Sequence, residues 1–286
     1  MPSKIAALAL TAGLALPTSS VPNYTAIDQI PVVGHPFVQA YNQLPPQVRD
    51  AVRLPLPLTA PGQHHAVSAA EIQAQLDRLV ADVVGRHGGR VAVSVGGFTA
   101  GDNSPVPAFS TMKVPLSIAA LRQDQSMYPD AEIAVTRSDN PAAHRMFARV
   151  PAAGYERVIQ EAGSRTSTPV TAKMSTLWTT SDQAEFASGL RCVPGHEPVL
   201  DMMGRIVDSQ HWGLGRIDGA RYKGGWYTYQ GGHLARQFGL IPGPNGDIAV
   251  AITAHNTKGY DGSFRMLDEL ADGLAASRGD LPTARC

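Results

Sequence analysis

Apolar residues recur at helical spacing after Ser68: Ile72, Leu76, Leu79, Val80, Val83 and Val84 fall on one side of a helical wheel. Ser68 followed three residues later by Glu71 is a capping box, and Gly85 with Gly88 and Gly89 ends the run. Residues 90–95 alternate as a strand does, Gly96-Gly97 turns the chain, and a second strand is predicted over 97–100. Helices are predicted over 110–122, 139–150 and 155–162, with a fourth capped by Thr180-Ser181-Asp182 and running through Leu190. Residues 224–229, 234–241 and 248–255 are strand-like and are separated by Gly-Gly and Pro-Asn-Gly turns. Residues 263–276 form a closing amphipathic helix with Phe264, Leu267, Leu270 and Leu274 on one face. This order predicts an α+β fold: an antiparallel sheet covered by the N- and C-terminal helices, with a reduced helical lobe between its strands.

The region upstream reads differently. Lys4 precedes an apolar run over residues 5–16 and then Pro17-Thr18-Ser19-Ser20, the pattern of a secretory signal peptide over residues 1–20. The run falls short of the roughly 20 residues a membrane-spanning helix needs. Residues 21–65 hold eight prolines and little periodicity, so an irregular arm or linker is expected, with a short helix near residues 46–52. The folded domain is expected over 66–286. Cys192 and Cys286 are the two cysteines of a chain expected to be secreted or held in the cell envelope; they form either a disulfide tying the C-terminus to the body or two free thiols.

Charge narrows the function. The 24 Lys and Arg balance 24 Asp and Glu, which excludes the basic excess of a nucleic-acid or anionic-membrane binder. Hydrophobic residues at 43% with charged residues at 17% exclude bulk disorder. The nine histidines show no metal-type spacing, so neither a metal nor another cofactor is expected.

Lysine is scarce, with five in the chain, and two of the five fall in short motifs. The first motif is Ser110-Thr111-Met112-Lys113 at the start of a predicted helix; Pro115 fits only if the helix has just begun. Residues i and i+3 share a helix face, so Lys113 can reach the Ser110 hydroxyl. A serine is a weak nucleophile until a neighbouring base takes its proton, and a buried lysine with a lowered pKa serves. The helix start also supplies free N–H groups for an oxyanion. The second motif is Ser138-Asp139-Asn140, which reads as a helix cap before Pro141 and equally as a proton relay and an amide holder. The third is Lys223-Gly224-Gly225 before a strand: a second cation, with glycines that let a substrate lie along the strand edge.

These three motifs, in this order, resemble the signature of the penicillin-recognising serine enzymes, the class A β-lactamases and D,D-peptidases. The stretches Ser110–Pro115 and Ser138–Ala143 extend the resemblance, which covers about residues 68–276. It implies Ser110 as the acylated nucleophile and Lys113 as its base. Ser138 would shuttle a proton, Asn140 would hold the substrate amide and Lys223 would give electrostatic support. The Ser110 and Trp226 N–H groups would form the oxyanion hole, and Gly225 would line the site beside them. Arg236 either anchors a substrate carboxylate or is a solvated strand-edge arginine. The implied protein is a monomer acting on a small molecule or cell-wall peptide.

Three departures shape the expected activity. The interval from Ser110 to Ser138 is short, so part of the helical lobe is trimmed. Gly224 stands where Thr or Ser is usual, which removes a hydroxyl that helps bind a substrate carboxylate. The class A glutamate that activates the hydrolytic water lies between the second and third motifs, but residues 163–178 hold no acid. Glu161, just upstream, is either a substitute or a solvated helix charge. Acylation with slow β-lactam deacylation is therefore expected, D,D-peptidase- or esterase-like. The alternatives are a true β-lactamase that recruits Glu161 or another acid, and a non-catalytic binding module on the same fold.

Overall fold

The computed structural model describes residues 67–286. The expected signal peptide, the proline-rich arm and the short helix near residues 46–52 lie outside the described residues. Helix α1 (Ala69–His87) opens on the capping box: the Glu71 N–H donates to Ser68 Oγ, and the Ser68 N–H donates to Glu71 Oε2 at 2.7 Å. Strands β1 (Arg90–Val95) and β2 (Phe98–Gly101) follow. After a helical lobe come β5 (Arg221–Tyr229), β6 (Gly232–Gly243), β7 (Gly246–Asn256) and a final helix α8 (Gly259–Ser277). The five strands form an antiparallel sheet in the order β2-β1-β7-β6-β5. Its centre is thus built from the first and last strands of the domain, and β5 is an edge.

Helices α1 and α8 cover one face of the sheet, and α6 (Thr180–Gly189) packs on the other against β7, β1 and β6. Central strands covered on both faces need apolar side chains pointing both ways. Accordingly β7 buries every residue from Ala249 to Ala254; all are apolar but Thr253, whose hydroxyl hydrogen-bonds Thr180.

The helical lobe comprises α2 (Lys113–Gln123), α3 (Tyr128–Thr136), α4 (Asn140–Arg149), α5 (Ala152–Glu161) and α7 (Glu197–Met203). α2 is its axis: every residue from Lys113 to Leu121 is buried, with α3, α4 and α5 packed around it. A helix enclosed on all sides shows no amphipathic stripe. Two helices escape the sequence reading. α3 carries Pro129 in its first turn, and the seven residues of α7 are too few for periodicity to register.

Cys192 and Cys286 form a disulfide with Cα atoms 5.6 Å apart, within the normal range for such a bond. Beside it Arg285 donates to the Ala162 carbonyl at 2.6 Å and to Glu185 at 2.7 Å. Among the described residues no helix is long and apolar enough to cross a membrane.

Candidate active site

The site lies where the helical lobe meets the edge strand. Strands β3 (Val106–Pro107) and β4 (Leu177–Trp178) pair into a short ribbon, and the chain then enters a 3-10 turn over Phe109–Met112 before α2. Residues 110–122 are thus two elements, not one helix. Phe109 has φ +49°, a left-handed conformation that costs a bulky residue of order 1–3 kcal/mol. Four non-glycine residues in the described part have positive φ: Phe109, Ser138, Lys173 and Gln230. Phe109 directly precedes the first motif, and Ser138 opens the second.

The structure brings Lys113, Ser138, Asn140 and Lys223 together. Lys113 is fully buried, and its Nζ donates to the Ser138 carbonyl at 2.6 Å and to Asn140 Oδ1 at 2.7 Å, with Ser138 Oγ at 3.5 Å. Lys223, also fully buried, donates to Ser138 Oγ at 3.1 Å and to the Gly224 carbonyl at 2.8 Å. Ser138 Oγ thus lies between two ammonium positions. Its left-handed φ of +59° turns its carbonyl and hydroxyl toward them, while Asp139 caps α4 by accepting from the Ala142 N–H at 2.7 Å.

Burial lowers the Lys113 pKa from 10.5 to about 7, with Asp139 pulling the other way. Burial, and after it the Lys113 charge, hold Lys223 well below the ordinary lysine value. An amine that is neutral near pH 7 keeps two N–H donors and gains a lone pair. The Ser138 carbonyl and Asn140 take the two donors of Lys113. Among the hydrogen bonds of the described residues, none joins Lys113 to Ser110. The expected i to i+3 reach is not used here, because Lys113 points across the cleft to the Ser138 turn.

Gly225 lies against the turn that carries Ser110. A Cβ on it would stand 2.9 Å from Ser110 N and 2.9 Å from the Ala108 carbonyl oxygen. The missing side chain lets β5 itself close on the nucleophile turn, and Trp226 follows directly. Gly224 makes room on the other face: a Cβ there would be 2.9 Å from Trp212 Cη2. The indole of Trp212 fills the space a Thr or Ser side chain would enter.

Arg236 is not the solvated strand-edge arginine that the sequence also allowed. It is fully buried, and burial lowers its pKa to about 9. Its donors reach Gln183 Oε1 at 2.9 Å and the carbonyls of Val106 (3.0 Å) and Trp178 (2.9 Å). Gln183 in turn donates to Thr111 Oγ1 at 2.7 Å, and Thr111 donates to the Ala108 carbonyl at 2.6 Å. Arg236 therefore braces the Ser110 turn from beneath, a role that a strand arginine does not advertise in sequence.

Glu161 is excluded as the missing acid by its position. It pairs with Arg122 at 2.6 Å. Arg122 is nine residues beyond Lys113 on α2, about 13 Å along the axis at 1.5 Å per residue. The segment that packs beside the nucleophile turn, Val170–Ser175, belongs to the acid-free stretch. Among the described residues no three His, Cys, Asp or Glu side chains stand close enough to hold a metal ion.

Sequence reasoning missed Trp212. It stacks on Phe264 with centroids 4.3 Å apart and meets Trp226 edge-on at 5.6 Å. The available signal was the glycine at 224, which marks a neighbour pressing on the strand.

No protein-family model matches the sequence, and no curated protein is similar to it in sequence. Solved structures are similar in fold. A β-lactamase from Sphaerobacter thermophilus superposes with a TM-score of 0.59 at 18% identity, covering 73% of this chain and 98% of that one. A variant of the last common ancestor of Gram-negative bacteria β-lactamase class A gives 0.57 at 19% identity, over 71% and 98%. A β-lactamase from Xanthomonas campestris gives 0.55 at 15% identity, over 73% and 98%. The chain has the β-lactamase fold, the one its motifs led us to expect.

Proposed function

We propose that the protein is an exported serine hydrolase that works through an acyl-enzyme on Ser110, esterase- or D,D-peptidase-like. The observation that carries this reading is Lys113, a fully buried lysine with a pKa near 7 at the foot of the nucleophile turn. A general base is most effective with a pKa near the working pH. Substrate binding draws Asn140 onto the substrate amide and frees Lys113 to face Ser110. The Ser110 proton passes to Lys113, and Ser110 Oγ attacks the carbonyl carbon. The N–H groups of Ser110 and Trp226 hold the oxyanion, and Lys223 supplies a supporting dipole or charge beside Ser138. Ser138 Oγ then relays the proton from Lys113 to the leaving group, which departs as an alcohol or amine.

Hydrolysis of the acyl-enzyme needs an activated water, and the segment beside Ser110 has no carboxylate to activate one. Any β-lactam adduct is therefore long-lived. The disulfide and the leader-like N-terminus support a place outside the cytoplasm.

Intact-protein mass spectrometry after a fluorophosphonate and, separately, after benzylpenicillin tests this reading, with Ser110→Ala as control. A fluorophosphonate adduct on Ser110 alone supports it, and a benzylpenicillin adduct that persists for hours supports slow deacylation. Rapid release of penicilloate would favour the β-lactamase reading. Absence of any adduct would favour a binding module.

A further inference from the structure

The cations around the cleft outnumber its acids, and two of them have no use in the reaction described above. Lys113 and Lys223 are buried and bonded to the Ser138 turn. Arg137 and Lys173 are exposed, and among the described residues neither pairs with a carboxylate. Arg137 directly precedes Ser138, on the side where the leaving group takes its proton. Asp139 is the carboxylate whose charge acts on Lys113, and it already accepts from the Ala142 N–H as the cap of α4. The charge that acts on Lys223 is that of Lys113. A cleft lined by one sign of charge concentrates ions of the other sign, here anions.

Lys173 is tied to the Ser110 turn through the backbone. Its carbonyl accepts from the Thr176 N–H at 3.1 Å, and the Thr176 carbonyl accepts from the Ala108 N–H at 2.8 Å, two residues before Ser110. Lys173 has φ +54° and ψ −124°, a conformation that glycine adopts freely and a lysine does not. A glycine would relieve the strain, yet the position holds a cation. Its Nζ stands 5.6 Å from the centroid of the Phe147 ring, within cation–π range. Phe147 is seven residues beyond Asn140 on α4, two turns along the same side and about 10 Å away. Tyr155 meets Phe147 edge-on, and its hydroxyl donates to the Val170 carbonyl at 3.2 Å, which fixes that ring against the segment carrying Lys173. The side of α4 that starts at Asn140 therefore ends at an oriented cation.

We infer that the acyl part of the substrate carries a carboxylate that docks on Lys173, beyond the amide held by Asn140. This inference rests on the acyl-enzyme reading of Ser110 and on the role of Asn140 within it. With its amide at Asn140, an acyl chain that continues along α4 brings a carboxylate a few bonds further on to the Lys173 ammonium, where it gains a charge-assisted hydrogen bond. The substrate class is an ester or amide of an N-acylated amino acid whose acyl chain ends in a carboxylate. The segment that lacks an acid for water activation supplies a cation for selection instead.

Two nearly isosteric phenyl esters test the assignment: that of N-glutarylglycine, with its free carboxylate on the acyl chain, and that of the matching carboxamide. Phenol release reads acylation, since Ser110 Oγ bonds the acyl carbon and phenol leaves with the serine proton. At about 10 mM ionic strength kcat/KM is expected to be about three- to fivefold higher for the carboxylate, the range of an exposed ion pair, and the ratio should fall toward one in about 0.5 M salt. The ratio cancels any general loss of activity, so it is the quantity read in variants. Lys173→Gln and Lys173→Gly should bring it to about one, the glycine without loss of stability in urea because it suits the positive φ. Lys173→Arg should keep the ratio, and so should Arg137→Gln. Equal rates in the wild type, an unchanged ratio in Lys173→Gln, or loss of the ratio in Arg137→Gln alone overturn the assignment. If neither ester reacts while a fluorophosphonate still labels Ser110, the substrate class is wrong and the nucleophile stands. If the fluorophosphonate fails as well, the nucleophile falls and the substrate class with it.

Discussion

Replacing Lys113 by methionine separates the folding cost of this lysine from its use. The group goes from an ordinary value of 10.5 to about 7 on folding. At about 1.4 kcal/mol per pH unit, that gap is roughly 5 kcal/mol of destabilisation when both states are protonated. Below about pH 7 folded and unfolded chains both carry the proton, and the full cost applies. Between there and about pH 10.5 only the unfolded chain carries it, so stability rises with pH, and above that window the cost is gone. Near neutrality the cost is about 4 kcal/mol, since the folded amine is then half neutral. Methionine matches the length of the side chain and removes the charge. It also leaves the Ser138 carbonyl and Asn140 Oδ1 without their donor, a loss of about 1–2 kcal/mol because Asn140 is exposed to water. The variant should therefore be inactive and about 2–3 kcal/mol more stable than wild type near pH 7. That advantage should shrink by about 2 kcal/mol by about pH 9. Lys223 acts in the same direction, because removing Lys113 removes a charge that lowers its pKa. Urea unfolding of both proteins across this range measures the difference directly. Parallel stability curves, with a gap independent of pH, would refute the buried neutral lysine.

Four further outcomes follow from the geometry. Labelling of Ser110 by a fluorophosphonate should rise about tenfold from pH 6 to pH 8; Asp139→Asn, which keeps the cap oxygen for Ala142 but removes the charge that raises Lys113, should move the inflection to lower pH, and an unmoved inflection counts against the base. Gly225→Ala pushes β5 off the nucleophile turn and should slow labelling about a hundredfold while the fold persists, as circular dichroism would show; normal labelling rejects the close approach as functional. Arg236→Met strands Gln183 Oε1 and the Val106 and Trp178 carbonyls, and should cost about 3 kcal/mol in urea unfolding. Replacing both cysteines by serine opens a link spanning 94 residues and should cost roughly 4–5 kcal/mol by chain entropy, a loss well below about 2 kcal/mol speaking against that account.

The parts of the fold legible in the sequence are those fixed by local chemistry. The capping box of α1, the alternation in β1 and the Gly-Gly turn between β5 and β6 each depend on neighbours a few residues apart. The three motifs were legible because each keeps its residue types within a four-residue window. What was not legible depends on distant partners. The left-handed Phe109 that opens the turn before α2 lies against Gly225 of β5, a partner more than a hundred residues away. The direction of Lys113 is set by the Ser138 turn, 25 residues away. Arg236 reads from its strand position alone as either a substrate ligand or a solvated strand-edge arginine, and its bracing contacts exist only once Gln183 and the ribbon before Ser110 fold beneath the sheet. The absent loop acid needed no structure, since a stretch without Asp or Glu supplies no carboxylate of its own in any conformation.

The contact between Gly224 and Trp212 limits which sequences can be reached from this one. A threonine at 224 meets the indole at 2.9 Å with its first side-chain carbon, so that change alone is blocked by collision. Shrinking Trp212 alone opens a void beside Phe264 and Trp226 and gains no hydroxyl. Each substitution is harmful without the other, and a side chain at position 224 lies two coordinated steps away across a fitness valley. The packing on this face of β5 is therefore held by pairwise dependence, and a library that varies 224 and 212 together will find solutions that single-site saturation at either position cannot.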